Sequence, residues 1–134
     1  MIQFRPATFS EIESCIPHEL KPTTHGDASC RYFGVFDGQT CIGFSRFKIE
    51  ESAVIDAIYI VEHERKQKFG DGLFRSTLNA IERGGVDRVI CVGSESELSF
   101  YMHEGLMRTE DQYVSLISIS AFFNQPCKGK RSSI

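Results

Sequence analysis

The chain has no tryptophan, and its 4 prolines are too few to interrupt most of its 134 residues, so long regular elements are open to it. No apolar run approaches the ~20 residues that span a bilayer, which excludes a spanning helix and leaves no membrane partner expected. The opening MIQFRPATFSE has no apolar signal core, so a cytoplasmic location is expected. Positive charge is not in excess: 15 Lys and Arg face 18 Asp and Glu, for a net charge of −3. With no global basic field, nucleic acid is not expected as a partner either. The 5 cysteines, at positions 15, 30, 41, 91 and 127, form no CxxC and no paired spacing. They read as reduced thiols, mostly buried as small apolar residues. HERKQ begins like the zinc motif HExxH but lacks its second histidine, so no metal is expected. Internal repeats and low-complexity segments are also missing.

What is present is organised around Ala53 to Arg83, AVIDAIYIVEHERKQKFGDGLFRSTLNAIER. AVIDAIYIV is rich in β-branched and aromatic residues and reads as a strand. A turn follows with Arg65, Lys66, Lys68, His63 and two glycines. Leu73, Phe74, Thr77, Leu78 and Ile81 then fall at helical spacing, and Gly84-Gly85 stops the helix. A strand feeding a glycine-bearing turn and a helix start is a geometry that binds phosphates, because free N–H groups and the positive dipole end point at the anion.

The remaining elements fall into place around that unit. Ile2 to Arg5 alternates as a first strand, and Thr8-Phe9-Ser10-Glu11 fits a capping box with Ile12 and Ile16 on one helix face. Pro17 and Pro22 end that helix in a loop. Tyr32 to Phe36 and Gln39 to Ile49 read as a hairpin turning at Asp37-Gly38, and Gly43 marks a close approach of neighbouring backbone or ligand. Arg88 to Val92 suits a buried strand lying parallel to the organising one through a right-handed crossover. Ser94-Glu95-Ser96-Glu97 opens a helix carrying Leu98, Tyr101 and Met102, closed at Gly105. Leu106 to Thr109 and Tyr113 to Ser120 predict a closing hairpin. The expected fold class is α/β (α+β), a mixed, mostly antiparallel sheet with one parallel β-α-β step at its centre. One domain over 1–123 and a polar tail over 124–134 are expected.

These residues resemble the GNAT superfamily of acyl-CoA-dependent N-acetyltransferases across almost the whole chain. The likeness is carried by Ile2-Gln3-Phe4-Arg5-Pro6-Ala7, by Ile42-Gly43, and by Tyr101-Met102-His103-Glu104-Gly105-Leu106, which is similar to the family's Tyr-x-x-x-Gly-Phe. The family motif Arg/Gln-x-x-Gly-x-Gly/Ala lies on this sequence in two ways. Gln67 to Gly72 matches literally but puts Asp71 in an apolar position. Arg65-Lys66-Gln67-Lys68-Phe69-Gly70 keeps the spacing from the strand and places Lys68 where the family has glycine. The second register is preferred. Lys68 there still donates its N–H if its φ is negative, and it adds a cation worth roughly 0.5–1 kcal/mol at an exposed site.

The resemblance implies acetyl-CoA as co-substrate and a primary amine, on a small molecule or an exposed group, as acceptor. It implies a sheet splayed at its centre to admit the pantetheine arm. Ile58, Tyr59, Ile60 and Val61 would line that slot, and Arg65, Lys66, Gln67, Lys68, Phe69 and Gly70 would hold the pyrophosphate. Tyr101 matches the tyrosine that protonates the leaving thiolate, although packing alone would explain a tyrosine on that helix. Ser94 sits where many members place a coenzyme-contacting asparagine, and capping alone would explain it too. Asp56, reckoned to share a strand face with Ile60, is the candidate base, since a lone carboxylate in an apolar strand is suited to taking a proton. A hydrogen-bonded structural carboxylate is the alternative. Dimers are common in the family, and the acceptor is shaped by Pro17 to Cys30 and Leu106 to Tyr113. Two other functions stand beside the transferase: a non-catalytic coenzyme A-binding or regulatory module of the same fold, and a small interaction domain with no coenzyme.

Overall fold

A computed structural model describes residues 1–16, 29–110, 113–116 and 118–124, with the backbone alone described for Lys66, Gln67 and Glu110. Seven strands form one sheet: β1 (Ile2–Ala7), β2 (Arg31–Asp37), β3 (Thr40–Ile49), β4 (Ala53–Ile60), β5 (Val89–Val92), β6 (Met107–Glu110) and β7 (Tyr113–Leu116). The helices are α1 (Phe9–Ile12), α2 (Phe69–Arg83), α3 (Glu95–Glu104) and α4 (Ile119–Asn124), with 3-10 turns at Glu13–Cys15 and Glu62–Gln67. Strand order is β1-β2-β3-β4-β5-β7-β6. Every neighbouring pair is antiparallel except β4 and β5, which run parallel on either side of α2. No helix among the described residues is long and apolar enough to cross a membrane.

The central helix follows its sequence pattern. Leu73, Phe74, Leu78 and Ile81 are fully enclosed against the sheet, each contributing about 1.5–3 kcal/mol of burial. Thr77 occupies the same stripe at no polar penalty. Its hydroxyl donates to the Leu73 carbonyl at 2.7 Å and accepts from Ser45 of β3 at 2.7 Å. Gly72 is a packing residue, since a Cβ there would lie 2.6 Å from the Phe4 ring of β1. The helix closes on the Gly84 amide, which donates to the Ala80 carbonyl, and the chain turns at Gly85 with φ +91°. Both predicted capping boxes form, Thr8 with Glu11 and Ser94 with Glu97. At the hairpin, Gly38 takes φ +63° in a two-residue turn between the paired Asp37 and Thr40.

The sheet carries a core on each face. One gathers α2, α3 and α4 around Phe74, Leu98 and Tyr101. The other seats α1 and the following turn, through Ile12, Cys15 and Ile16, on Phe36, Cys41 and Phe44.

The expected final strand Tyr113 to Ser120 is shorter than predicted. β7 stops at Leu116, and Ile119 begins α4. The reason is a distant partner: Asp87 accepts hydrogen bonds from the Ser118 hydroxyl at 2.7 Å and the Ser120 amide at 2.9 Å. Its own carbonyl takes the Ile119 amide at 2.7 Å, and Ser118 caps Ala121. The loop expected after Pro17, most of the Pro17–Cys30 acceptor region, the turn at Asp111-Gln112, Cys127 and the tail from 125 lie outside the described residues.

Candidate active site

The pairing of β4 with β5 is brief. It covers Ala53↔Val89, Val54↔Ile90 and Ile55↔Cys91, and then stops although β4 runs on to Ile60. Beyond Ile55 the pairing ends, and a cleft of about 680 Å³ opens between β4 and the start of α3, which follows β5. Its floor is β4 from Asp56 to Ile60 with Phe44 and Arg46 of β3. Its other wall is Ser94, Ser96, Glu97 and Phe100 of α3 and its cap, and Arg65 and Gly70 stand where β4 passes into α2.

A β-bulge lies in its floor. Arg46 pairs with Ala57 and Phe47 with Ile55, leaving Asp56 as the extra residue. The bulge breaks the alternation that would put Asp56 on the face of Ile60. Ala53, Ile55, Ile58 and Ile60 belong to one core, whereas Ala57 and Tyr59 pack on the other. Asp56 is not the lone carboxylate anticipated from the sequence. The Arg46 guanidinium grips it in a fork, Nε to one oxygen at 2.8 Å and a terminal nitrogen to the other at 2.9 Å. That bond raises the Arg46 pKa above its ordinary value.

At the mouth, the Arg65 Nε donates to the Ile60 carbonyl at 2.8 Å, and its guanidinium lies 5.3 Å from the centre of the Tyr59 ring. Lys66 and Gln67 lie in the 3-10 turn. Lys68 is exposed and left-handed, at φ +63°, ψ +19°, the one non-glycine residue with positive φ among those described. The negative φ that was the condition for a non-glycine residue here is therefore not met. This backbone is one that glycine adopts freely and other residues adopt at a cost of about 1–2 kcal/mol. The geometry favours the alignment of Arg65 to Gly70, in which this position is the motif's first glycine; in the literal one, Gly70 and Gly72 lie inside α2. From Phe69 on, α2 starts with no side-chain cap, so its first-turn amides keep their capacity to bind an anion.

The remaining residues inferred from the sequence divide. Ile58, Tyr59, Ile60 and Ser94 line the cleft with Asp56, Arg65 and Gly70, whereas Val61 does not, its amide being spent on the Ile42 carbonyl at 2.8 Å. Phe69 packs toward the core. Gly43 answers to backbone rather than ligand, because a Cβ there would meet the Tyr59 carbonyl. Tyr101 lies under the cleft rather than in its lining, fully enclosed, with its ring centre 5.6 Å from Phe74 and 5.7 Å from Phe100. Its hydroxyl has no hydrogen-bond partner among the described residues. Burial first, then the proximity of Cys91, Glu97 and Asp56, pushes the phenol well above its usual range and keeps it protonated.

Sequence reasoning missed Arg46 and the second role of Glu97. One Glu97 oxygen accepts the Ser94 amide at 2.9 Å, as a capping box requires. The other reaches across the splay to the Ile58 amide at 3.5 Å. A glutamate at the third helical position explains itself locally, so nothing in the sequence pointed to the second contact.

No family model and no curated protein matches the sequence. Solved structures do match the fold. The PaiA N-acetyltransferase of Thermoplasma acidophilum, in complex with coenzyme A, is 14% identical with a TM-score of 0.65 over 87% of this chain and 99% of that one. Tetrahymena GCN5 is 10% identical with a TM-score of 0.72 over 87% and 96%. The chain has the GNAT acetyltransferase fold. A third GNAT-fold match, the KacTA–DNA complex, is 13% identical with a TM-score of 0.74 over 92% of this chain and 98% of that one. It corrects the expectation that nucleic acid is excluded: net charge read over a whole chain does not exclude DNA from assemblies built on this fold.

Proposed function

We propose that this protein is an acetyl-CoA-dependent N-acetyltransferase acting on a primary amine. The observation that carries the reading is the splay beyond Ile55 and Cys91, which leaves the Ile58 amide facing a cleft that ends at the uncapped start of α2. In this reading the amides from Lys66 to Gly70 hold the pyrophosphate, with Arg65 at the mouth. The pantetheine arm lies along Ile58 to Ile60, and Ser94 flanks it. The Ile58 N–H polarises the thioester carbonyl as the amine attacks. Glu97 must then give up that amide, because a carboxylate on it would compete with the developing oxyanion.

Tyr101 is the acid in this reading. Its hydroxyl is unspent and protonated, but burial raises its pKa and keeps it out of the cleft lining, so in this reading coenzyme binding must uncover the phenol before it can protonate the departing thiolate. Asp56, clamped by Arg46, is less suited to acting as base than its sequence position suggests, and an amine arriving already neutral would not need one. A second reading, a non-catalytic coenzyme-binding module, draws support from Glu97 on the Ile58 amide and from the strained Lys68. Acetyl transfer to a panel of primary amines separates the two. The transferase reading expects turnover that Tyr101→Phe lowers by about 100-fold or more in kcat at unchanged coenzyme affinity, the range of general acid–base effects. Coenzyme binding without transfer to any amine would leave the module.

A further inference from the structure

The second core contains a pair of thiols that the sequence spacing concealed. Cys15 ends the 3-10 turn after α1 and Cys41 is the second residue of β3, and their sulfurs lie 2.8 Å apart. Both are nearly enclosed, at 8% and 6% exposure, yet not sealed as Cys91 is at 0%. Their other polar contacts are single and weak: Cys15 donates to the Ile12 carbonyl at 3.2 Å and Cys41 to the Gly43 carbonyl at 3.5 Å. No other sulfur is paired in this way among the described residues.

We propose that Cys15 and Cys41 are an oxidation site, converted by hydroperoxide to a reversible intramolecular disulfide. The chemistry balances with one peroxide. The Cys41 thiolate attacks a peroxide oxygen, the O–O bond breaks, hydroxide leaves and is protonated to water, and Cys41 becomes a sulfenic acid. The Cys15 sulfur then displaces the sulfenic oxygen as a second water and the S–S bond forms. Two thiols lose two electrons in total and the peroxide gains them. Cys41 is the attacking sulfur: when it ionises, the one Cys15 S–H turns from the Ile12 carbonyl to donate to its thiolate and Arg5 adds positive potential, outweighing burial and the charge of Glu11, while that bond and burial hold the proton on Cys15. The crosslink would close the chain from 15 to 41 and fasten the turn after α1 to the strand whose Phe44 and Arg46 line the cleft.

The test is peroxide treatment of the native chain, followed by alkylation of remaining thiols and peptide mapping without reductant. The expected result is loss of two of the 5 thiols, a single linked peptide pair joining Cys15 to Cys41, and full recovery in dithiothreitol. Oxidation should also raise Tm by roughly 5–12 °C, since a crosslink closing a loop of this size restricts the unfolded chain. Cys15→Ala and Cys41→Ala should each abolish both the link and the rise, and mapping the unsubstituted protein needs neither variant to fold. Thiols that stay reduced, a link through Cys30 or Cys127, or oxidation of one sulfur past sulfenic acid without a link would each overturn the proposal.

Discussion

Replacing Lys68 with glycine should make the protein more stable, although no side-chain contact is gained. At φ +63° a lysine carries about 1–2 kcal/mol of steric cost that glycine does not. Glycine gives back roughly 0.5–1 kcal/mol through the greater freedom of its unfolded chain. The difference leaves a net gain of about 0.5–1 kcal/mol. For 134 residues at ~2.1 cal/mol/K each, the unfolding entropy is about 0.28 kcal/mol/K, so Tm should rise by about 2–4 °C. Scanning calorimetry without ligand measures this directly. Lys68→Ala is the control, because alanine removes the same side chain but keeps the Cβ that makes the left-handed backbone costly; its Tm should stay level or fall. Equal gains in both variants would refute the argument, since the lysine side chain and not its backbone would then be the source. A fall in Lys68→Gly alone would do the same.

Two other substitutions test electrostatics at and beside the cleft. Glu97→Gln keeps a carbonyl oxygen for the Ser94 amide but takes a negative charge from the slot, so acetyl-CoA should bind about twofold to fivefold tighter by calorimetry; weaker binding would show that the carboxylate assists the coenzyme. Glu104 is pushed up to about 7, by burial first and then by its hydrogen bond to Asp71 and that group's charge, against the pull of Arg75. A carboxyl raised on folding leaves stability intact below its unfolded pKa of about 4.3 and costs stability as pH climbs through 7. Glu104→Gln should therefore match the parent Tm near pH 4 and exceed it at pH 8, and parallel Tm curves for the two proteins would contradict the assignment.

What could be read in the sequence was whatever depends on neighbours along the chain. The α2 stripe, both capping boxes and the stops at Gly84-Gly85 and Gly105 are local patterns, and each took the predicted form. What could not be read depends on residues far apart. Asp56 looked isolated because the bulge that turns it exists only in the register with β3, where Arg46 waits. Ser118-Ile119-Ser120 alternates like a strand, and Asp87 recruits it into a helix start. Cys15 and Cys41 meet only once α1 folds back on β3. At Lys68 the chain departs from the glycine of the motif it resembles while keeping the backbone that glycine would take.

The most direct test is whether the cleft between β4 and the start of α3 takes coenzyme. At acetyl-CoA a hundred times its Kd, binding to the folded state alone should add ~2.7 kcal/mol, which raises Tm by about 10 °C for a chain of this size. A saturable rise of that order, with 1:1 stoichiometry by calorimetry, is the predicted result. An unchanged Tm and no heat at millimolar acetyl-CoA would contradict it.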